Sequence, residues 1–446
     1  MEKIKHSPTE TVKSIIIAVL TLSMLTLSVI YIGGSRFATD NTALSASELP
    51  FGATVVGVAE TEDVTLYEKN LLPVSYVGIR YGENGGGAYS NEAAAESLLS
   101  FAYEYVHLCL ESGSTISEVS GETLSAALGG NFLVLNLSSS LPYQIIYALT
   151  GEYNSPAGSQ TAISADRLVI YEGDGVIKLL LSDGEKVFVS SAAEISAVSE
   201  LSALASDSRL SNFSVNEYGL ATSSATPSVH RITFDSAPTP SIQMQNSIIE
   251  LFGYDLPEIS EREGFANMFS PLGTLQINQN KIGYSSSHEG GIPLSDFLSK
   301  SKNDIDIGIY DVLTASLSLL EEVRIAAHES TGAPMELQLG GFYYSGGTYT
   351  LIFNLACDGI GAFGEEYPYF AKITASNGRF KSIEIKLLSV QREGYVSPIF
   401  PSEFNYNYAN QNENVRSIFL KYPVDALPTQ SISPMWYYTA TGGATK

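Results

Sequence analysis

The stretch DIGIYDVLTASLSLLEEVRIAAHESTG, residues 306–332, decides the predicted fold of the C-terminal part of this chain. Its apolar residues recur at the spacing of one helical stripe, which comprises Leu313, Leu317, Leu320, Val323 and Ala327. Gly332 supplies a C-terminal stop. Alternating, strand-like segments follow, with turn signals at 345–347 and at Asn377-Gly378. One helix ahead of four or five antiparallel strands predicts a helix packed across one sheet face, which is an α+β module.

A similar but shorter pattern of a helix followed by antiparallel strands lies just before this module. Within 229–303, a short helix in SIIELFGYDLP (247–257) comes before a hairpin in GTLQINQNKIGYSSS (273–287). The shared order suggests that 229–303 and 304–446 are related helix-on-antiparallel-sheet modules. No repeat of fixed period is visible, which argues against a solenoid.

A third α+β domain is predicted at 51–228, since a chain of 446 residues is too long for one core. Its predicted elements are a strand at 53–60, a helix at 91–112, a strand at 131–138, strands within 167–191 with turns at EGDG and SDG, and a helix at 192–206. The stretch ATSSATPS, residues 221–228, is typical of a linker to the next domain.

The N-terminal region predicts a membrane anchor. Residues 14–34 contain no charged side chain, and a helix of this length rises about 30 Å, the thickness of a bilayer core. Lys3, Lys5 and Lys13 precede the predicted span, and only Arg36 closely follows it. The positive-inside rule therefore places residues 1–13 in the cytoplasm. With 35–50 as a tether, the sequence predicts a single-pass protein of the cell membrane with three extracytoplasmic domains.

The predicted span carries a stripe of mostly small or hydroxyl side chains that would suit contact with a partner helix: Ser14, Ala18, Thr21, Leu25 and Ser28. The alternative is that Ser and Thr bond back to the carbonyls of their own helix, as they do in many single spans.

The composition of the chain limits the ligands that it could bind and the way its fold could be held together. The net charge is −24, which argues against nucleic acid or anionic lipid as a ligand, because both require clustered positive charge. Two cysteines are too few for a disulfide framework. Cys109 and Cys357 are predicted to face the core as small hydrophobic residues, and a disulfide between them is left open.

No catalytic signature is found. The five histidines form no HExxH or other metal-ligand spacing, and GxSxG is absent. The glycine-rich ENGGGAYSNEAAAES, residues 83–97, lacks the lysine of a P-loop. Its backbone NH groups could face an anion, but a flexible loop that ends in a helix cap at Ser90 or Asn91 is favoured.

Two acidic pairs, Glu321-Glu322 and Glu365-Glu366, have the residue types of a glycosidase acid and base. Neighbouring residues of a helix point apart, so this reading is disfavoured. We therefore predict no catalytic, cofactor-binding or metal-binding residues, no cofactor, and a protein that is not an enzyme.

Aromatic residues give a competing possibility. Tyrosines are densest at 343–349 (YYSGGTY) and 365–370 (EEYPYF), where they could form the rim of a saccharide or peptide groove. Half-buried strands and turn rims also favour tyrosine, and this interpretation is preferred. Trp436 is predicted to pack into the hydrophobic core and so to fix the position of the last strand.

Five segments resemble the YycH family of two-component regulatory proteins, whose partner YycI has modules of the same kind. They are ELFGYDLP (250–257), KIGYSS (281–286), NGRFKSIEI (377–385), IFLKYPVD (418–425) and SISPMWYYTATGG (431–443). The last is similar to the closing proline-tryptophan strand of the family.

The resemblance implies a membrane-anchored regulator of an essential sensor histidine kinase that governs cell-wall metabolism. Such a protein would act through transmembrane helix contacts with the kinase and a YycI-like partner. It would have no catalytic residues, and an extracytoplasmic ligand stays open. The alternative is a membrane-tethered module that binds cell wall or peptide without coupling to a kinase.

Overall fold

The fold is that of a computed structural model, and all of the described residues belong to one compact unit. The structure describes residues 71–440 apart from the gaps 112–115, 152–162, 175, 192–197, 237–239, 255–257, 263–264, 279–280, 288–289, 299–306, 329–335, 365–366, 396–398, 412–413 and 425–430.

The described residues form a mixed α+β fold of seven α-helices and extensive sheets. The helices are α1 (Ala93–Glu111), α2 (Gly121–Leu128), α3 (Tyr143–Gly151), α4 (Val198–Ala205), α5 (Ile242–Leu251), α6 (Ile309–His328) and α7 (Ser402–Asn410), with a 3-10 turn at Leu294–Phe297.

The first half of the described chain contributes strands β1 to β10: β1 (Val74–Tyr81), β2 (Asn84–Tyr89), β3 (Ser117–Val119), β4 (Phe132–Pro142), β5 (Ser164–Gly173), β6 (Val176–Ser182), β7 (Val187–Ser191), β8 (Phe213–Val215), β9 (Ala221–Ser223) and β10 (His230–Ser236). The second half contributes β11 (Glu258–Arg262), β12 (Phe265–Ser270), β13 (Gly273–Asn278), β14 (Lys281–Ser286), β15 (Ile292–Pro293), β16 (Glu336–Ser345), β17 (Thr348–Cys357), β18 (Ile360–Phe363), β19 (Ala371–Ser376), β20 (Arg379–Lys386), β21 (Leu388–Tyr395), β22 (Val415–Pro423) and β23 (Met435–Ala440).

The first sheet has the strand order β2-β1-β4-β5-β6-β7-β3 and is covered on both faces. Side chains alternate along its strand β4, so Leu133 and Leu135 enter the main hydrophobic core while Phe132 and Val134 enter a smaller one. Helix α1 packs on the first of these faces and buries Leu98, Ala102, Tyr105 and Cys109. The predicted helix at 91–112 and the predicted core-facing position of Cys109 are therefore confirmed.

The large sheet has a symmetric core. Its order runs β11-β12-β13-β14-β20-β19-β17, with β16 beyond β17. Four strands that follow α5 therefore meet four strands that follow α6, and the last strand of each set, β14 and β20, pair antiparallel at the centre. Helices α5 and α6 also contact each other, and α6 contacts α3 of the first sheet. The helical layers of the two sheets thus meet.

The sequence patterns predict several elements that the structure confirms. Helix α6 buries Leu313, Leu320 and Val323. The predicted turns are present as well, because Asn377 and Gly378 both have positive φ angles of 50° and 69°, and Gly346 and Gly347 have 57° and 78°. Two consecutive positive φ values are what a tight type I′ hairpin requires. Both cysteines are buried, and neither forms a disulfide.

The predicted linker at 221–228 differs in the structure. Its first three residues form β9, which pairs with β8 and is buried. Short polar residues are typical of linkers, but here their polar groups have hydrogen-bond partners within the fold. The predicted strand at 53–60 lies outside the described residues. The predicted domain boundaries near 228 and 303 stay predictions.

The predicted localisation requires a correction. Within the described part of the chain, no helix is long and apolar enough to cross a membrane. The longest, α6, carries Asp311, Glu321 and Arg324 among its residues, since it is an amphipathic helix with one buried face. The predicted span at 14–34 and its stripe lie outside the described residues, including Ser14, Ala18, Thr21, Leu25 and Ser28.

Candidate functional site

A pocket opens where the first sheet meets the C-terminal strands. We call it the seam pocket and define it by six lining residues: Tyr76, Tyr89, Asn136, Asp358, Ser402 and Trp436. Its enclosed part has a volume of about 30 Å³, and about 500 Å³ of empty space is counted when the open mouth is included. Strands β1, β2, β4 and β9 supply one wall, while α7, β22 and β23 supply the other. The pocket is therefore assembled from segments far apart in the sequence.

Two tyrosines lie side by side in the first wall. Tyr76 on β1 is the register partner of Tyr89 on β2, and their rings meet edge to face with centroids 5.2 Å apart. Both are buried, and burial raises the pKa of both phenols. Their hydroxyls are therefore neutral hydrogen-bonding groups at physiological pH.

The glycine run of β2 makes room for Tyr76. A Cβ atom at Gly87 would lie 2.2 Å from Tyr76 Oη, and one at Gly86 would lie 2.6 Å from Leu210. The flexible loop predicted for this run is wrong, because 84–89 is a strand paired with β1. Its backbone groups pair with β1 on one side, and the Gly87 NH donates to Ser211 O at 2.8 Å on the other, which disfavours the anion site. Of the two predicted cap residues, Asn91 donates from Nδ2 to the Ser228 carbonyl at 2.7 Å.

The hydroxyl of Tyr76 is the unusual polar atom of the pocket. It is buried and makes no hydrogen bond to any residue that the structure describes. Ser223 lies close enough to offset part of the rise in the Tyr76 pKa, but not in hydrogen-bonding geometry. A buried hydroxyl without a partner costs about 1–3 kcal/mol of folding free energy.

Ser402, the first residue of α7, joins the two walls. Its Oγ accepts a hydrogen bond from Ser223 N at 2.7 Å and one from Tyr89 Oη at 3.2 Å. Asn136 on β4 fixes β9 in the same way, since its Nδ2 donates to Ala221 O at 2.7 Å. These contacts explain why the polar stretch at 221–223 is buried rather than a free linker.

Trp436 closes the opposite wall. It is the only tryptophan of the chain and lies on β23, where its indole Nε1 donates to Phe400 O at 2.8 Å. Its ring lies 6.3 Å from that of Tyr89, between centroids. The predicted packing against the core is confirmed, because Trp436 contacts both hydrophobic clusters, although it is only partly buried.

Charged groups lie at the rim. Asp358 follows β17 with a positive φ of 54° and is the one carboxylate among the described lining residues. Its Oδ2 is 2.6 Å from His230 Nδ1, and its Oδ1 is 2.6 Å from an Arg392 guanidinium nitrogen. Arg392 also approaches Glu336 at 3.5 Å, whose pKa is raised by burial. The cluster ties β10, β17 and β21 together.

The neighbouring Cys357 is not poised as a nucleophile. Burial, reinforced by the Asp358 carboxylate, raises the pKa of its thiol to about 12. A cysteine needs its thiolate form to attack a substrate. The His230–Asp358 pair next to it therefore acts as a structural ion pair or hydrogen bond in this geometry.

The acidic and histidine residues that were candidates for acid–base or metal chemistry do not form one site in the described part of the chain. Glu321 pairs with Arg324 at 2.8 Å on α6, and Glu365-Glu366 lies outside the described residues. His107 stacks on Tyr147 with ring centroids 4.8 Å apart. In the described ranges, no group of three or more metal-ligating side chains could hold a metal ion.

The two tyrosine-rich segments have different surroundings. Tyr343 and Tyr344 are 63% and 46% exposed at the tip of the β16–β17 hairpin, where Tyr344 lies 4.8 Å from Tyr349 between ring centroids. In the other segment, Tyr367 packs against the core and Tyr369 accepts a cation–π contact from Lys386 at 5.7 Å. The half-buried interpretation is confirmed for 367–370, while 343–344 form an exposed rim.

Sequence reasoning missed most of the seam pocket. Tyr76, Asn136 and Ser402 belong to no motif, and their roles arise from contacts between distant segments. One local signal was present: Tyr76 and Tyr89 flank the turn at Gly82, which has a φ of 59°, and the alternation on either side is typical of a hairpin.

Comparison with known proteins adds no relative. No family model, curated protein or solved structure matches this chain.

Proposed function

We propose that this chain is a ligand-responsive regulator of a sensor histidine kinase that governs cell-wall metabolism, acting with a YycI-like partner. The observation that carries the proposal is the seam pocket. Its walls are held together by neutral hydrogen bonds through Ser402, and no activated nucleophile lines it among the described residues. Such walls suit binding of a ligand more than its conversion.

The segments that resemble the YycH family support the proposal by their positions. KIGYSS is β14 and NGRFKSIEI covers the turn into β20 and most of that strand, so two of them form the central pair of the large sheet. IFLKYPVD lies largely on β22, and SISPMWYYTATGG contains β23. The resemblance thus falls on connected parts of one sheet and on one wall of the seam pocket.

We also infer that the two C-terminal modules are related. Each has a helix followed by a set of four antiparallel strands, α5 with β11–β14 and α6 with β16, β17, β19 and β20, while the short β18 pairs with β17 and β22 outside this set. An approximate two-fold axis through the β14–β20 pair would relate the two sets. A YycI-like partner with modules of this kind would offer a matching architecture.

Helix α7 offers the best surface for a protein partner. Phe400, Phe404 and Tyr408 are 64%, 54% and 68% exposed, and the rings of Phe400 and Phe404 stack with centroids 4.8 Å apart. The same helix begins at Ser402 in the pocket. A ligand that changes the seam would therefore change the position of the aromatic face.

The test uses the full-length chain in cells that lack the native gene. We expect the double variant Phe404→Ser, Tyr408→Ser to change the phosphorylated fraction of the cognate response regulator toward that of the deletion strain, by severalfold. Both side chains are exposed, so the variant should fold normally. Phosphorylation is read by phosphate-affinity electrophoresis, and chain abundance by immunoblot.

The matched control is Tyr343→Ser, Tyr344→Ser, which removes a second exposed aromatic pair on a different element. Regulation should survive this change. A deletion strain with unaltered phosphorylation would refute the regulatory function, and equal effects of both double variants would refute the assignment to α7.

A second candidate is a cell-wall or peptide binding module without a kinase, and the exposed rim at Tyr343 and Tyr344 favours it. In that case the Tyr343→Ser, Tyr344→Ser variant, and not the α7 variant, should lose binding to purified wall fragments in a sedimentation assay. Unchanged sedimentation of both variants would reject this candidate.

A further inference from the structure

We infer that the solvent face of the central strands of the large sheet binds a short acidic segment of a partner protein. We call this surface the basic face and define it by five residues: Lys281, Lys372, Arg379, Lys381 and Lys386. They lie on β14, β19 and β20, and none of them is among the described residues that line the seam pocket. The inference therefore does not depend on the proposed function.

The alternation of the central strands directs these side chains away from the core. On β20, Ile383 and Ile385 are buried in the core, so Lys386 lies on the opposite, solvent face. On β19, Lys372 is exposed while the next residue, Ile373, is buried. The lysines are thus outward-facing residues of a paired sheet, whose positions are fixed by the strands.

Strand register places three lysines around one carboxylate. Lys281 is directly opposite Lys386 in the β14–β20 pair, and like charges in such positions repel. The carboxylate of Glu384 lies between them, with one oxygen 3.3 Å from Lys281 Nζ and 3.1 Å from Lys386 Nζ. On the other side of β20, Lys372 is the register partner of Glu384. One carboxylate therefore faces three lysines, and positive charge is in excess.

Arg379 and Lys381 extend the basic face along β20. Arg379 Nη1 donates to Gly291 O at 3.0 Å, and Lys381 Nζ donates to Gly290 O at 2.6 Å. Because these two carbonyls are consecutive, the two cationic groups are held near each other by neutral acceptors. Among the described residues, no carboxylate forms an ion pair with Arg379, Lys381 or Lys372.

Cations without an ion-pair partner are unexpected in this chain. It has 48 Asp and Glu against 24 Lys and Arg, so a basic side chain usually has a carboxylate nearby. Lys178, Arg209 and Arg416 illustrate this, with ion pairs of 2.5, 2.7 and 2.6 Å. The positive charges of the basic face are therefore available to an external anionic group.

The surroundings of the basic face do not neutralise it. The outward-facing residues of the neighbouring strands β13 and β17 are all uncharged: Thr274, Gln276, Asn278, Thr348, Thr350 and Ile352. A second copy of the chain stacked on this face would oppose the same cations, so self-association through it is disfavoured. The complementary partner is an acidic one.

The dimensions favour a short acidic segment over a long polyanion. Strand β20 has 8 residues and so spans roughly 25 Å. An extended peptide of similar length can present a carboxylate at every second residue, about 7 Å apart, which is the spacing of alternate side chains on β20. A longer polyanion would extend past the basic face onto a molecule with a net charge of −24 and would be repelled.

Fluorescence anisotropy with the purified full-length chain tests the inference. The probe is a labelled peptide of four Glu-Ser repeats, and the same peptide with Gln in place of Glu is the uncharged control. At 0.1 M salt the screening length is about 10 Å, so the probe responds mainly to nearby charges. We expect saturable binding of the acidic peptide, at least fivefold weaker at 0.5 M salt, and none of the uncharged one.

The double variant Lys372→Gln, Lys381→Gln should weaken binding of the acidic peptide at least fivefold. Its matched control is Lys186→Gln, Arg209→Gln, which removes the same charge from two exposed side chains outside the basic face and should change binding less than twofold. Lys372→Gln alone alters an exposed side chain and should weaken binding about twofold. This single variant keeps the test decisive if circular dichroism shows the double variant unfolded.

Four results would overturn the inference: no saturable binding of the acidic peptide, equal binding of the uncharged peptide, equal loss in the two double variants, or unchanged affinity of Lys372→Gln. Tighter binding of an eight-nucleotide oligothymidylate than of the acidic peptide would also overturn it and would assign the basic face to phosphate polyanions. The assay contains no kinase, so none of these results bears on the proposed regulatory function.

Discussion

The thiol of Cys357 lies beside the Asp358 carboxylate and is 4% exposed. Burial raises its pKa to about 12, above the ordinary thiol value of about 8.5. A raised pKa means that the folded state holds the proton more tightly than the unfolded state does. The stability that this contributes is complete at neutral pH and is lost as the pH rises from about 8.5 toward about 12.

We predict that native protein shows no fast-reacting thiol at pH 8, while denatured protein shows two. Cys109 serves as an internal comparison because it is also a buried thiol outside any disulfide. Ellman's reagent with and without guanidinium measures both numbers. Rapid native labelling of Cys357, or a disulfide found by mass spectrometry in the absence of oxidant, would contradict this prediction.

At the scale of elements, the edge strand β23 contacts both β22 and the segment before α7. It pairs with β22 through the register Leu420↔Trp436, and Trp436 holds the segment before α7 through Phe400 O. We predict that a chain ending before Ser431 is destabilised by about 3 kcal/mol, because it loses the pairing of β23 with β22 as well as the partly buried Trp436.

Urea unfolding followed by circular dichroism measures this loss, with a chain that ends after Ala440 as the control because it retains β23. A midpoint of the shorter chain equal to that of the control would show that β23 contributes little.

At the scale of the molecule, the central β14–β20 pair and the contact of α3 with α6 connect the three predicted domains. We predict one unfolding transition, in which Trp436 fluorescence and far-ultraviolet circular dichroism coincide, because the described residues share one large core. A fluorescence transition displaced from the circular dichroism transition would instead favour separate domains with boundaries near 228 and 303.

The sequence by itself determined the elements whose signals are local. The 3.6-residue period predicted α1 and α6, and Asn377-Gly378 predicted the β19–β20 turn, because helix faces and type I′ turns depend on neighbouring residues. The mixed α+β class followed from their order. Glycine depresses strand propensity, so the sequence of β2 resembles a loop, and its short polar residues make β9 resemble a linker.

Only the tertiary structure decided the seam pocket. Tyr89 and Ser402 are 313 positions apart, and Ser223 and Ser402 are 179 apart, so no local pattern could connect them. In the unfolded chain each of these hydroxyls can bond to water, and only the folded structure leaves it with one protein partner within reach. The Tyr76 hydroxyl is buried because Gly87 of β2 and Ser223 of β9 pack next to it, and that packing depends on the tertiary structure rather than on any motif.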